Sequence, residues 1–299
     1  METGRLRYAL PMDIEFWGVR GSIPVPGPTT VRYGGNTSCV RVRVAGGDLV
    51  FDAGTGIREL GRAMMKSGVP ARIDVFLSHV HWDHIQGFPF FAPAMKKGVK
   101  IGIHGMNSLE RTLESVVEGQ MEGPTFPIGL KQMGADIDFE ALEEGCVLPL
   151  ESEPGKPWAS VSCARLNHPN GVYGYRVVEH STGASFVYAT DTEHVEGLVD
   201  QTLVRLAHGA DVLIYDGMFT EEEYPGRRGW GHSTWLEGFK VAMAAKVKKF
   251  VVFHHDPART DDAMDELKKL VVEEARRMDP SIEVEFAYEG LSLRIGATG

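Results

Sequence analysis

The first half of the chain alternates short apolar runs with polar turns, a pattern that predicts strands followed by helices. Apolar stretches bounded by Gly, Pro or charged residues predict strands at 13–18, 38–44, 49–51, 73–77 and 100–104. Apolar residues at helical spacing predict helices at about 57–66 and 108–118, and Gly68 follows the first of these helices as a stop signal.

The second half repeats this order. Strands are predicted at 159–166, 172–178, 185–189, 212–215, 250–253 and 282–287, and helices at 195–207, 234–245 and 262–277. Strand runs followed by helices in both halves predict a mixed α/β protein. The segment 121–157, with its Gly, Pro and acidic residues, is predicted to be an irregular excursion within a single domain that spans 1–299. Residues 1–12 are expected to form a poorly ordered N-terminal extension.

A cluster of possible metal ligands follows the predicted strand at 73–77. It contains His79, His81, Asp83 and His84. Imidazole and carboxylate groups are common ligands of divalent cations. Because these residues cannot all lie along one regular element, we expect a turn to fold them around metal ions, and four such groups indicate two ions. A solvated loop that happens to contain these residues is the simpler alternative, since short motifs also occur by chance.

The segment from His79 to His84 reads HVHWDH and resembles the HxHxDH signature of the metallo-β-lactamase-fold hydrolases. The resemblance implies a four-layer αβ/βα sandwich, in which two face-to-face sheets carry helices on their outer sides. It also implies that His79 and His81 bind one metal, while Asp83 and His84 bind the second. The expected cofactor is a pair of divalent ions, with zinc as the first choice and manganese or iron as alternatives, because nitrogen and carboxylate ligands suit all three.

Further candidates follow later strands. His168 comes after the strand at 159–166, and Asp191 comes after the strand at 185–189. Each is a weak signal alone, because an aspartate before a helix is more often a cap than a ligand. The resembling family has a third histidine and a metal-bridging aspartate in this order, so the resemblance implies metal binding by both. It also implies that Asp52 supports the metal loop by accepting hydrogen bonds, with a helix cap as its alternative role.

The last expected ligand is one of two adjacent histidines, His254 and His255. Neighbouring side chains on a strand point to opposite faces, so only one of the two can face the site. An ungapped comparison with the strand ending typical of the family favours His255. His254 is then expected in a supporting or packing position, and the reverse assignment stays open.

A second motif separates branches of the family. Asp216 lies in the segment YDGMF and His232 begins the tripeptide HST. Together they resemble the signature of the phosphodiesterase branch, which includes tRNA 3′-processing endonucleases and phosphonate-pathway cyclic phosphodiesterases. The resemblance implies that Asp216 orients His232 as a general acid beside the scissile phosphate. Asp83 completes the expected catalytic set, since the two metals would activate the attacking water. The local alternative is a loop whose Ser233 or Thr234 caps the next helix.

Charge and the N-terminal motifs favour a small substrate. The formal net charge of −10 disfavours a long nucleic acid, because polyanion binding depends on clustered Lys and Arg. The segments FWGVRGSIP at 16–24 and GGNTS at 34–38 resemble a bacterial subset often described as cyclic-nucleotide phosphodiesterase-like. We therefore expect hydrolysis of a small phosphodiester, such as a cyclic nucleotide or a cyclic sugar phosphate. The alternatives are a tRNA 3′-end endonuclease, a thioesterase of the glyoxalase II type and a non-catalytic nucleotide-binding sensor, and a β-lactamase ranks below them.

Cysteine usage and hydropathy set the remaining expectations. Cys39, Cys146 and Cys163 are far apart along the chain and form no CxxC pair, which argues against a disulfide framework, so small buried residues are expected. No stretch approaches the length of a membrane span and the N-terminus lacks a signal-peptide pattern, so a cytoplasmic protein without a membrane partner is predicted. A homodimer is an open alternative, because relatives often dimerise.

Overall fold

The structure is a computed structural model that describes residues 11–44, 47–108 and 110–296. Its strands, in chain order, are β1 (Met12–Gly18), β2 (Cys39–Val44), β3 (Gly47–Phe51), β4 (Arg72–Phe76), β5 (Lys100–Gly105), β6 (Asp136–Ala141), β7 (Val147–Glu153), β8 (Lys156–Leu166), β9 (Val172–Glu179), β10 (Ser185–Ala189), β11 (Val212–Asp216), β12 (Lys249–Phe253), β13 (Glu283–Phe286) and β14 (Ser292–Ile295). Its α-helices are α1 (Gly56–Ser67), α2 (Trp82–Ile85), α3 (Leu113–Gly119), α4 (Gln201–Ala207), α5 (Trp235–Ala245) and α6 (Asp261–Met278).

The strands form two seven-stranded sheets, each with one parallel and one antiparallel part. The first has the order β14-β1-β2-β3-β4-β5-β6, and the second has the order β13-β12-β11-β10-β9-β8-β7. Pairing is parallel from β3 to β6 in the first sheet and from β10 to β13 in the second, while the remaining pairs are antiparallel. Each sheet therefore has a parallel part whose carboxyl ends can carry a shared site.

Side-chain alternation along the strands separates three apolar layers. In β3, Leu49 and Phe51 point between the sheets, whereas Val50 points outward to the layer under α1. Phe51 stacks on Phe76 of its own sheet with ring centroids 5.4 Å apart and meets Phe186 of the other sheet edge-on at 5.2 Å. Helices α4, α5 and α6 cover the outer face of the second sheet. The expected four-layer sandwich is therefore confirmed.

Several element boundaries differ from those expected. The segment 121–157 is not irregular throughout, because it contains β6, all of β7 and the start of β8. Strands β6 and β7 lie at sheet edges, where charged side chains are tolerated, and these charges obscured the strand pattern. The helix expected at 195–207 begins only at Gln201, after Asp200 caps it through Thr202 and Leu203 amides. The helix expected from 108 begins at Leu113 with Thr112 as its cap.

The structure also tests the expectations for the N-terminus, the cysteines and membrane spans. Residues 1–10 of the expected N-terminal extension lie outside the described residues, but Met12 is fully buried as the first residue of β1. Cys39 and Cys163 are buried and Cys146 is half-buried. Although far apart in sequence, Cys146 and Cys163 meet across the β7–β8 hairpin with their Sγ atoms 3.3 Å apart. None of the helices in the described part of the chain is long and apolar enough to cross a bilayer.

Candidate metal centre

The site lies where parallel strands of both sheets end. Asp52 follows β3, His79 follows β4 by three positions, Asp191 follows β10 by two positions, and His254 follows β12 directly. His168 comes from the loop after β8, which runs antiparallel to β9. Polar side chains at these strand ends converge because the loops that carry them leave the same edge of the sandwich.

The first candidate cluster consists of His79, His81 and His168, whose ligand atoms lie within 4.8 Å of one another. His168 Nε2 is 3.2 Å from His81 Nδ1, and His168 Nδ1 donates to the Gly231 carbonyl at 2.8 Å. His79 Nε2 is buried and has no hydrogen-bond partner among the described residues. Burial is the main cause that lowers the pKa of all three imidazoles, so they are neutral near pH 7 as metal ligands must be.

The second candidate cluster consists of Asp83, His84, Asp191 and His254. His84 Nε2 is 3.1 Å from Asp83 Oδ2 and 3.2 Å from Asp191 Oδ2, and His254 Nε2 is 3.3 and 3.2 Å from the same two oxygens. Burial opposes ionisation of these carboxyl groups, but the adjacent imidazoles lower the pKa of both. Both aspartates therefore carry their charge in the folded protein.

Asp191 lies between the two clusters. Its Oδ2 atom faces His84 and His254, while its Oδ1 atom is 3.9 Å from His79 Nε2 in the first cluster. Asp191 thus lies where it could contact ions at both clusters, and its bridging role stays a prediction.

The choice of His255 over His254 is reversed by the structure. His255 is buried, and its Nε2 atom donates to the Ala287 carbonyl at 2.8 Å, away from both clusters. Its ring stacks on Phe286 with centroids 6.0 Å apart. His254 instead has φ +59, so a left-handed turn at the strand end directs its side chain into the second cluster. His255 is therefore a packing residue and His254 is the ligand candidate.

Asp52 occupies the supporting position expected for it. Its Oδ1 atom accepts from the Ser78 amide at 2.7 Å, and its Oδ2 atom contacts His84 Nδ1 at 2.7 Å and accepts from the Tyr188 hydroxyl at 2.7 Å. Because Asp52 accepts a hydrogen bond from the Nδ1 atom of His84, the Nε2 atom of His84 is free to face the second cluster. Asp52 is not a helix cap, since the N-cap of α1 is Thr55.

The three residues Asp52, Asp191 and His254 share an unusual backbone. Their φ angles are +59, +52 and +59, which lie in the left-handed region that non-glycine residues seldom adopt. Each follows a parallel strand and turns its side chain back over the sheet edge. Such conformations are characteristic of functional sites, where packing compensates for the strain.

His232 and Asp216 form a buried pair beside these clusters. His232 Nδ1 donates to Asp216 Oδ2 at 2.9 Å, and it lies 3.7 Å from Asp191 Oδ1. Burial opposes protonation of His232, but the Asp216 carboxylate outweighs it and raises the pKa of His232 to about 9. Because Nδ1 faces Asp216, Nε2 is the nitrogen left to exchange a proton with a bound molecule. Ser233 accepts a hydrogen bond from the Tyr215 hydroxyl, and Thr234 caps α5. The helix cap considered as an alternative is therefore present together with the His232–Asp216 pair.

Comparisons with known proteins identify the family to which the chain belongs. Residues 48–255, more than half of the chain, match the family described as the beta-lactamase superfamily domain. The chain belongs to the beta-lactamase superfamily. The family expected from the HVHWDH motif is therefore confirmed.

Relatives within the superfamily include Ribonuclease Z of Haloarcula marismortui, which is 26% identical and is matched over 96% of this chain and 97% of its own length. The match extends over 324 aligned positions, more than the 299 residues present here, so that relative contains inserted segments without a counterpart in this chain.

Solved structures show the same fold. The short form of human tRNase Z is 21% identical with a TM-score of 0.63, covering 94% of this chain and 98% of that protein. A diphosphatase from the PhnP family is 18% identical with a TM-score of 0.64, covering 96% and 98%. At these identities the likeness establishes the superfamily fold.

The donor set fits divalent cations of the kind that superfamily hydrolases use. A tetrahedral site with ligand bonds of about 2.0–2.1 Å holds its ligand atoms roughly 3.3 Å apart. The imidazole and carboxylate atoms of the second cluster are 3.1 to 3.3 Å apart. This spacing fits ligands arranged around an ion, although it also suits direct hydrogen bonds, and the unpartnered Nε2 atom of His79 is the second observation that fits a metal site.

A cavity of about 450 Å³ opens over the centre. It is lined by Ser22, Val80, His81, Trp82, Asp83, Asp191 and His232. None of these lining residues is a Lys or Arg, whereas Trp82 is 78% exposed at the rim. The cavity therefore offers an aromatic wall and candidate metal ligands, without a cationic side chain of its own.

Some contributors were not evident from the sequence. The Ser22 amide donates to Asp83 Oδ2 at 2.7 Å, and Glu193 holds the loop that precedes His232. A backbone amide leaves no residue-type signal, but Glu193 lies two positions after Asp191 and could have been considered. Arg20 is fully buried and donates to the carbonyls of Gly34 and Arg259, so it holds a turn and does not face the cavity.

Proposed function

We propose that this protein is a metal-dependent phosphodiesterase that hydrolyses a small phosphodiester, such as a cyclic nucleotide or a cyclic sugar phosphate. The observation that carries the proposal is the His232–Asp216 pair, 2.9 Å apart. His232 lies on the wall of the cavity that is also lined by His81 of the first candidate cluster and by Asp83 and Asp191 of the second. The Ribonuclease Z relatives support hydrolysis of phosphodiester bonds.

The residues would share the work as follows. His79, His81 and His168 would hold one ion, and the other would be held by Asp83, His84, Asp191 and His254. Bound divalent cations draw charge from phosphoryl oxygens and lower the pKa of coordinated water. Asp52 and the Gly231 carbonyl keep ligand imidazoles in the tautomers that face the ions.

His232 would protonate the leaving oxygen. Its raised pKa keeps it charged at neutral pH, and its Nδ1 bond to Asp216 leaves the proton on Nε2 available for transfer. A general acid of this kind contributes about 10²- to 10⁴-fold when the leaving group is a poor one. A thioester expels a thiolate that leaves without prior protonation and would gain less from the pair, so the pair favours an alkoxide over a thiolate as the leaving group.

The cavity and the charge favour a small substrate. A phosphodiester has one negative charge, which two cations can neutralise without help from Lys or Arg in the cavity wall. The net charge of −10 disfavours a long polyanion. The relative named Ribonuclease Z has inserted segments that this chain lacks, so the chain does not share all of that relative's structure.

A tRNA 3′-end endonuclease is the second candidate. It is favoured by the relatives named Ribonuclease Z, which match across nearly the whole chain. Both candidates use the same bond chemistry and differ in what binds beyond the scissile phosphate.

The test is a substrate panel with metal-reconstituted protein. It contains bis(p-nitrophenyl) phosphate, 2′,3′- and 3′,5′-cyclic nucleotides, and a tRNA precursor, each assayed with the wild type and with His232→Ala. We expect turnover of a cyclic substrate, and we expect His232→Ala to retain its metals but lose most turnover when the leaving group is poor. The exposed His208 provides the control variant His208→Ala, which should behave like the wild type.

The outcomes separate the candidates. Cleavage of the tRNA precursor with cyclic nucleotides inert would replace the proposal by the endonuclease. Nucleotide binding without turnover in metal-replete protein would indicate a sensor. Full activity of His232→Ala on a poor leaving group would remove His232 from the mechanism.

A further inference from the structure

Glu193 connects the loops that carry the candidate metal ligands and the candidate acid. Its carboxylate accepts from the amides of Gly229 at 2.7 Å and Gly231 at 2.8 Å, and from the Tyr224 hydroxyl at 3.0 Å. Gly229 and Gly231 flank the loop that leads into His232. One half-buried side chain thus holds both ends of this loop.

The backbone of Glu193 reaches a second loop. Its amide donates to the Asn167 carbonyl at 2.7 Å, and the Asn167 side chain donates back to the Glu193 carbonyl at 2.8 Å. Asn167 precedes the candidate ligand His168. Because Glu193 itself follows Asp191 by two positions, three loops of the site meet at this residue.

The Gly231 carbonyl links Glu193 to the first metal cluster. It accepts from His168 Nδ1 at 2.8 Å, which leaves His168 Nε2 facing His81. Gly231 has φ +86, and a Cβ atom there would lie 2.2 Å from His168 Nδ1, so only glycine fits. Glycine gives this loop conformational freedom that must be removed before the carbonyl can orient the imidazole.

We propose that Glu193 is a positioning residue that fixes the 229–232 loop, and that it thereby orients His168 towards the first metal and His232 towards the leaving group. The inference rests on the proposed function. Charge-assisted hydrogen bonds to two loop amides are strong enough to restrict the loop, because an ionised acceptor roughly doubles the strength of such bonds. Removing the charge would leave Gly231, and with it His168, less well oriented.

The experiment compares Glu193→Gln with Glu196→Gln. Glu196 lies on the same segment, is exposed and pairs only with the exposed Arg228 among the described residues, so it is a matched control. Metal affinity is measured by equilibrium dialysis against graded chelator with elemental analysis. Values of kcat and KM are measured for two phosphodiesters, one with a p-nitrophenolate leaving group and one with an alkoxide leaving group.

For Glu193→Gln we expect a loss of about 10- to 100-fold in affinity for one of the two ions, as is typical when a partner of a ligand is altered. We also expect kcat to fall more with the alkoxide than with p-nitrophenolate, while KM changes little. Tyr224→Phe removes only one bond to Glu193 and should cause a smaller change in the same direction. Glu196→Gln should match the wild type.

Several results would overturn the inference. Wild-type metal affinity and leaving-group dependence in Glu193→Gln would show that Glu193 does not position the site. Equal losses with both substrates, unchanged metal affinity and a lower Tm would indicate a general structural role. If the wild type hydrolyses no phosphodiester, the proposed function fails, but the affinity measurement still decides whether Glu193 orients His168.

Discussion

Exchanging His254 and His255 separately for asparagine tests the assignment of the last metal ligand. Asparagine tolerates the left-handed conformation seen at His254, so this variant removes the imidazole without adding backbone strain. We expect His254→Asn to bind one ion fewer, with the loss in affinity exceeding the roughly 100-fold upper range for altered partners of a ligand. Its metal-free form should unfold at nearly the wild-type temperature.

The neighbouring variant should behave in the opposite way. His255 is 2% exposed, donates one hydrogen bond to Ala287 and packs between Phe286 and Tyr33. A lost hydrogen bond contributes about 1 kcal/mol, and a partly emptied core position adds about 1–3 kcal/mol. His255→Asn should therefore retain two ions but unfold at a temperature lower by about 3–6 °C.

The assay is elemental analysis after dialysis at fixed free metal, combined with thermal unfolding of metal-free protein. Both variants are purified with the wild type, so that differences in metal loading during expression cancel. Loss of an ion from His255→Asn, with His254→Asn retaining both, would refute the geometric assignment and restore the choice made from the sequence.

Three further predictions concern acid catalysis, substrate contact and thiol chemistry. The acid form of His232 is present below its pKa of about 9 and is lost as the pH rises through that value, so turnover of a poor leaving group should fall at alkaline pH. In pH–rate profiles, Asp216→Asn should shift this loss of turnover to lower pH, because the carboxylate that raises the pKa of His232 is absent. An unchanged profile would contradict the role of Asp216 in raising that pKa. Trp82→Ala should raise KM for cyclic nucleotides about 5- to 150-fold through lost base stacking, yet leave KM for a cyclic sugar phosphate without a base unchanged, and equal effects on both would exclude stacking. Diamide should oxidise the thiols of Cys146 and Cys163 to a disulfide, with diamide itself reduced. Thiol titration of the unfolded protein should then find two thiols fewer, and an unchanged thiol count would contradict this prediction.

The local part of the site was predictable because its residues are contiguous. The spacing of His79 to His84 alone predicted a turn that gathers metal ligands. For His168 and Asp191, only the family resemblance supported the prediction of metal binding. The structure now brings all of them together.

The choice between His254 and His255 failed for a physical reason. The preference for His255 came from an ungapped comparison with the strand ending of the family, which carries no information about backbone conformation. In the structure a left-handed turn at His254 directs that side chain into the second cluster. The edge strand β6 was missed because its exposed positions carry charges. The cavity wall could not be predicted, since it joins side chains and an amide from distant loops.

The left-handed turns at Asp52, Asp191 and His254 have a consequence for how such a protein could change over evolutionary time. Each costs about 1–2 kcal/mol relative to glycine, a burden that is appreciable against a net stability of about 5–15 kcal/mol. A descendant released from the need for ions would lose this strain by acquiring glycine at Asp191 or His254, whereas Asp52 also holds Ser78 and Tyr188 by buried hydrogen bonds. The strain at these turns therefore marks positions where a side chain is present at a cost to the stability of the fold.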